Sequence, residues 1–194
     1  MKIYLDQEKQ RAISRSYLLV DSNVISFMFS SPERFDCFQN LFKSQYFLID
    51  PLASFEFVRD AFLPDIYTKK KEFINNDDFF LPANSHPDLL NKIRENALLL
   101  SRIYAHHLNR DGVKRFPPLV DLYLAGRLML QTNVYFVTSD FEDFPLFLFN
   151  RINLITFEDN KDERTVVQIL EFNKEKFSTC LGELENISKK VKQI

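Results

Sequence analysis

Four short apolar blocks, at 16–20 (SYLLV), 46–49 (YFLI), 134–137 (VYFV) and 153–156 (NLIT), dominate the pattern of this chain, and three of them stop abruptly at polar residues: Asp21, Asp50 and Thr138. Continuous apolar runs of this length, without polar alternation, are what strands buried on both faces look like. The intervals between them carry apolar residues at helical spacing. The chain is therefore expected to be an α/β protein, with a central parallel sheet between two helical layers in an α/β/α sandwich.

The helix after the first strand is predicted to include 32–42, with Ser30 or Ser31 as its cap and Pro32 in its first turn, and the next helix to cover 52–62 and stop near Pro64. From Pro64 to about Leu108 there is no strand signal, and Leu90, Ile93, Ala97, Leu100 and Tyr104 recur at helical spacing, so a mostly helical excursion is expected. A turn at Asp111–Gly112 and the pair Pro117–Pro118 then lead into LVDLYLAGRLML, which reads as a buried helix. Beyond Asp159 charges crowd between apolar residues three and four apart, which predicts one or two surface helices. These helices would form a charged extension (159–194) packed on a single domain (1–158). No repeat or low-complexity tract marks a second domain.

Composition narrows the class without naming a function. Hydrophobic residues make up 45 % and charged residues 27 %, as in ordinary globular proteins. No block nears the roughly 18 apolar residues of a membrane span, and the first residues lack a signal-peptide apolar region, so a cytoplasmic location without membrane partners is expected. Cys37 and Cys180 lack CxxC spacing and are read as reduced; His86, His106 and His107 lack the HExxH spacing of a zinc site. A net charge of -2 gives no global attraction for a polyanion, so nucleic-acid binding would need local clusters such as Lys69–Lys71, Lys114–Arg115, Arg94, Arg102, Arg110 and Arg127. The 21 Phe are assigned to the core, with Tyr67, Phe116 and Tyr123 as the aromatics available to stack on bases.

The acids are more specific. In a sheet covered by helices, ligands bind beyond the carboxyl ends of the strands near the point where strand order reverses. Asp21 follows the first strand directly, Asp140 follows the strand at 134–137 in TSDFEDF, and Asp143 would lie one helical turn beyond it. Glu56 in FEF and Asp121 in LVDLYLA are embedded among apolar residues. Ionised carboxylates in apolar surroundings, close to one another, must be compensated, and a hard divalent cation such as Mg²⁺ or Mn²⁺ does so through oxygen ligands.

The DSNVIS start at Asp21, the helix-borne Glu56, the DLYLA segment at Asp121 and the TSDFEDF stretch at Asp140 resemble, in order, the four acidic blocks of the PIN-domain ribonucleases, over about residues 16–157. The resemblance implies a PIN-like fold, Mg²⁺ or Mn²⁺ as cofactor, and hydrolysis of RNA by water. Asp21, Glu56, Asp121 and Asp140 would be the catalytic and metal-binding acids, and Asp143 a further metal ligand. Asn23, Thr138 and Ser139 would orient the carboxylates. Many members are toxins with an antitoxin partner, yet the helices between Glu56 and Asp121 and at the C-terminus exceed what a compact toxin needs. The alternative is a catalytically inactive PIN-like module that binds RNA or protein.

Simpler roles stand beside these: Asp21 and Asp121 as helix caps, Glu56 as the partner of Arg59, Asp140 and Asp143 as acids opening a helix, and the C-terminal segment as a covering helix, a homodimer contact or a docking arm. A receiver-like signalling domain fits less well, because DSN offers one acid where that fold needs adjacent ones.

Overall fold

The computed structural model describes residues 1–5, 17–111, 116–131, 133–160 and 163–191. Ser16, Gly112, Lys114 and Arg115, which entered the expectations above, lie outside them. The elements run β1 (Lys2–Leu5), β2 (Tyr17–Val20), α1 (Ser22–Phe29), α2 (Pro32–Leu41), β3 (Tyr46–Ile49), α3 (Pro51–Val58), α4 (Pro64–Ile74), β4 (Phe80–Pro82), α5 (Pro87–Asp111), α6 (Leu119–Leu130), β5 (Val134–Thr138), β6 (Phe149–Glu158), β7 (Arg164–Phe172) and α7 (Lys174–Val191). They fall into two compact units. The first comprises Met1–Ser85, Asn133–Phe141 and Arg151–Glu171, and the second comprises His86–Thr132, Glu142–Asn150 and Phe172–Ile194.

The first unit carries a seven-stranded sheet in the order β1-β6-β7-β5-β2-β3-β4. Its β5-β2-β3-β4 part is parallel, as the apolar runs predict, whereas β5 pairs β7 antiparallel and β1 pairs β6 antiparallel. The sheet is thus mixed, which corrects the expectation of a parallel one. The reading of 159 onward as surface helix is corrected too. Residues TVVQIL within β7 form a strand between β6 and β5, with Val167, Gln168, Ile169 and Leu170 buried in succession, and only α7 is helical. Three-residue β4 interrupts the excursion that carried no strand signal.

Two helix boundaries also move, for reasons of end chemistry. The first helix starts at Ser22, directly behind β2, and α2 follows it with the Ser31 hydroxyl accepting from the Arg34 N–H at 3.1 Å. Pro64 opens α4 instead of stopping a helix, because the first helical position needs no N–H donor. The core of this unit is built on phenylalanine. Phe38 is fully buried against Phe42, Phe47 and Phe157, and Phe47 stacks on Phe79 with ring centroids 4.6 Å apart.

In the second unit the predicted helical repeat at Leu90–Tyr104 is part of the 25-residue α5, which lies against α6. Gly126 sets that approach: a Cβ there would stand 2.7 Å from the carbonyl oxygen of Ile93, and the Asn96 amide donates to the Gly126 carbonyl at 3.1 Å. His107 is buried and stacked on Phe147 at 4.2 Å. Cys37 and Cys180 are both free. Among the described residues, no helix is long and apolar enough to cross a membrane.

Gly126→Ala tests the helix contact. Ala is intrinsically the better helix former by about 1 kcal/mol, yet here the methyl meets backbone that cannot rotate away. A net loss of about 1–3 kcal/mol is expected in denaturant unfolding, and a gain in stability would contradict the close approach.

Candidate acidic site

From β2 the chain moves to β3 and β4 on one side, while β5 lies on β2's other side, so the strand order reverses between β2 and β5. Connections that leave in opposite directions open a crevice at the carboxyl ends of those two strands. Asp21 is the first residue past β2, and its N–H continues the ladder by donating to the Val137 carbonyl at 3.0 Å. Thr138 ends β5, with Asp140 two residues on.

Asp21 occupies the N-cap position of α1 in extended backbone, yet its carboxylate makes no capping bond. Asp50, in the equivalent place after β3, spends its carboxylate on the Leu52 N–H at 2.7 Å. The simple cap reading therefore holds for Asp50 and is corrected for the Asp21 side chain. Only 1 % exposed, Asp21 accepts instead from the Thr138 hydroxyl at 2.8 Å, with longer contacts of 3.4 Å to the Ser22 hydroxyl and the Asn23 amide.

Ser22 joins Asp21 to Glu56. Its hydroxyl lies 2.8 Å from Glu56 Oε2, and because a hydroxyl has one proton, donating there leaves Asp21 only the weaker approach. The separation of the two carboxylates is bounded by those two contacts. Glu56 uses its other oxygen on Arg59 at 3.4 Å, so the helix-surface ion pair and a place in the acidic group coexist.

Asp140 is tied in through backbone. Its N–H donates to the same Thr138 hydroxyl at 2.9 Å that serves Asp21, and its carbonyl accepts from the Gln168 amide at 2.5 Å. Gln168 is 1 % exposed on β7, and its own oxygen accepts from Arg151 Nε at 3.2 Å. Sequence reading missed both Ser22 and Gln168. Ser22 was visible within DSN, whereas Gln168 had no signal while β7 was read as helix.

Three of the sequence-selected acids, Asp21, Glu56 and Asp140, thus lie in the first unit, with the Thr138 hydroxyl and the Asn23 amide donating to Asp21. Ser139 makes none of these contacts. Asp121, half-buried in the first turn of α6, and Asp143, buried with its carbonyl accepting from the Tyr104 hydroxyl at 2.7 Å, belong to the second unit. Residues 141–144 form a bend, so Asp143 does not follow Asp140 by a helical turn, and neither acid opens a helix.

Electrostatics single out Asp21. Burial pushes its pKa from 3.8 up to about 6, and the neighbouring Glu56 and Asp140 charges add to that rise, while the Thr138 hydroxyl and the Ser22 N–H pull against it. An oxygen-only donor set with a destabilised carboxylate at its centre has the chemistry that suits Mg²⁺ or Mn²⁺. Among the described residues no three His, Cys, Asp or Glu side chains meet closely enough to hold a metal by themselves. The fit is therefore to a cation that takes one or two carboxylates, here Asp21 with Glu56 or Asp140, and completes its shell with water or substrate oxygens.

No protein-family model, curated protein or solved structure matches this chain.

The raised pKa carries a pH signature. Between pH 3.8 and about 6 folded Asp21 keeps a proton that the unfolded chain releases, so its contribution is most favourable below that window and is lost as pH rises through it. The cost above pH 6 is about 3 kcal/mol. Asp21→Asn is expected to raise the melting temperature above pH 6 in chelator and to flatten the wild-type decline across the window. Equal pH dependence of the two proteins in calorimetry would contradict a buried, destabilised Asp21.

Proposed function

We propose that this chain is a divalent-metal-dependent endoribonuclease of the PIN-domain type. The observation that carries this reading is that the Ser22 hydroxyl lies between the Asp21 and Glu56 carboxylates while the Thr138 hydroxyl bonds the Asp21 carboxylate and the Asp140 backbone N–H, at the point where the strand order reverses. On this reading the fold is the three-layer PIN sandwich, RNA is the substrate, and Asp121 and Asp143 are further acids by resemblance alone. A toxin role with an antitoxin partner, in the cytoplasm, is the biological setting that the resemblance adds.

When bound, Mg²⁺ or Mn²⁺ supplies Lewis-acid polarisation of the scissile phosphate and a water made acidic enough to attack it. The chain supplies the rest. Thr138 holds Asp21 in one orientation through its hydroxyl and, by accepting from the Asp140 N–H, ties the Asp140 backbone to the same group. Ser22 fixes Glu56 in the same way. Glu56 and Asp140 are half-buried, so either can take the proton of an attacking water and pass it to solvent, a task closed to the enclosed Asp21.

A second reading, an inactive module that binds RNA or protein, is favoured by the Glu56–Arg59 ion pair, which engages one of the Glu56 oxygens.

Cleavage of a fluorogenic RNA in Mg²⁺ or Mn²⁺ separates the two. Wild type is expected to cut and to stop on addition of EDTA, Asp21→Asn to fall to background, and Thr138→Val to lose about 10–100-fold, the usual cost of removing a group that orients a metal ligand. An Asp21→Asn protein as fast as wild type would sink the nuclease reading. RNA binding without cleavage, unchanged by EDTA, would select the second.

A further inference from the structure

The first unit contains a cavity of about 360 Å³ beside the acidic crevice's helix α3, within the roughly 300–1,000 Å³ of small-molecule sites. Pro51, which opens α3, Phe80 and Pro82 from β4, and the aliphatic Ile49, Ile74 and Leu81 give it apolar walls. Ser54, Asn75 and Asp77 supply the polar groups. Ser54 is half-buried and Asn75 and Asp77 are exposed, and among the described residues none of the three side chains has a hydrogen-bond or ion-pair partner, so a hydroxyl, an amide and a carboxylate on the cavity lining are open to a ligand.

We propose that this cavity receives a nucleobase bearing an exocyclic amino group: adenine, cytosine or guanine. Its lining of proline and phenylalanine rings with aliphatic side chains suits the faces of a heteroaromatic ring, and Ser54, Asn75 and Asp77 can bond the polar edge of that ring. Asp77 only accepts hydrogen bonds, so the ring edge that meets it must donate. Asn75 both donates and accepts, matching an edge on which a ring nitrogen adjoins an amino group, the pairing by which Asn reads adenine. Uracil has no amino group, and its N–H lies between two carbonyls, so pairing it with Asp77 sets a carbonyl oxygen against the carboxylate. The site therefore discriminates against uracil.

The link to the acidic site is α3 itself. Ser54 lines the cavity while Glu56, two residues on and about 200° around the helix, reaches Ser22. One rigid helix thus spaces the base site from the acids. The assignment of the base to an RNA chain, and of a sequence preference to cleavage, rests on the ribonuclease reading. Base binding itself does not.

The test is a titration of the ¹⁵N-labelled full-length protein, in EDTA, with adenosine, cytidine and uridine, followed through backbone amides and the Asn75 side-chain amide. Adenosine and cytidine are expected to shift the signals of Ser54, Asn75 and Asp77 and to bind at least about tenfold more tightly than uridine, as loss of a bond to a charged group costs. Asp77→Ala, at an exposed position, is expected to abolish that preference, and Asp21→Asn to leave it intact. Equal binding of uridine, no shift at these residues, or a shift produced only by an arginine-containing peptide would each overturn the proposal. Because chelator and Asp21→Asn both remove cleavage, failure of the nuclease reading leaves this result unchanged, and failure here leaves the acids untouched.

Discussion

A carboxylate held almost without solvent at the end of a buried strand is costly, and the costs rise when two more acids stand near it. Asp21 meets that description, and the surrounding fold makes it unavoidable. Strand β2 lies between β3 and β5, so its carboxyl end cannot reach the edge of the sheet, and the ladder bond from Asp21 to Val137 prevents the residue from swinging out. The next helix begins at once, which removes any loop through which the side chain could escape to water. What relieves it within the chain is chiefly the short bond from Thr138, with the Ser22 N–H second.

The contrast with Asp50 shows that the placement is particular to one strand end. Both acids sit at the N-cap of a helix that follows a parallel strand, but the Asp50 carboxylate turns toward its own helix, where a backbone N–H answers it. Asp21 turns toward Thr138 at the end of β5. Since capping would contribute about 1 kcal/mol, a fold that forgoes it and accepts a buried charge has placed stability behind charge concentration at this point.

How far the sequence revealed this follows from what each residue does. Asp21 and Asp140 stood out because they follow apolar strand blocks, and Glu56 because it is set between phenylalanines. The parallel strands β2, β3 and β5 were legible as continuous apolar runs. Strand β7 was not, because its buried stretch TVVQIL carries a glutamine and is flanked by charges; Gln168 is buried because it serves the Asp140 carbonyl, a tertiary reason that no local pattern displays. Strand β4 was too short to register, and β1 stands apart from its partner β6 by most of the chain. Asp121 is embedded in apolar sequence like Glu56, and Asp143 was placed by its spacing from Asp140, yet both lie in the second unit, where the Asp143 backbone is bonded to Tyr104.

The central proposal is that Asp21, with Glu56 or Asp140, binds one divalent cation, and paramagnetic broadening by Mn²⁺ addresses it without reference to any reaction. In a ¹⁵N-labelled sample titrated with substoichiometric Mn²⁺, the account expects the amide signals of Ser22, Glu56, Thr138 and Asp140 to vanish first and to stay sharp in Asp21→Asn. Broadening that begins elsewhere, or that is unaltered in the variant, would contradict it.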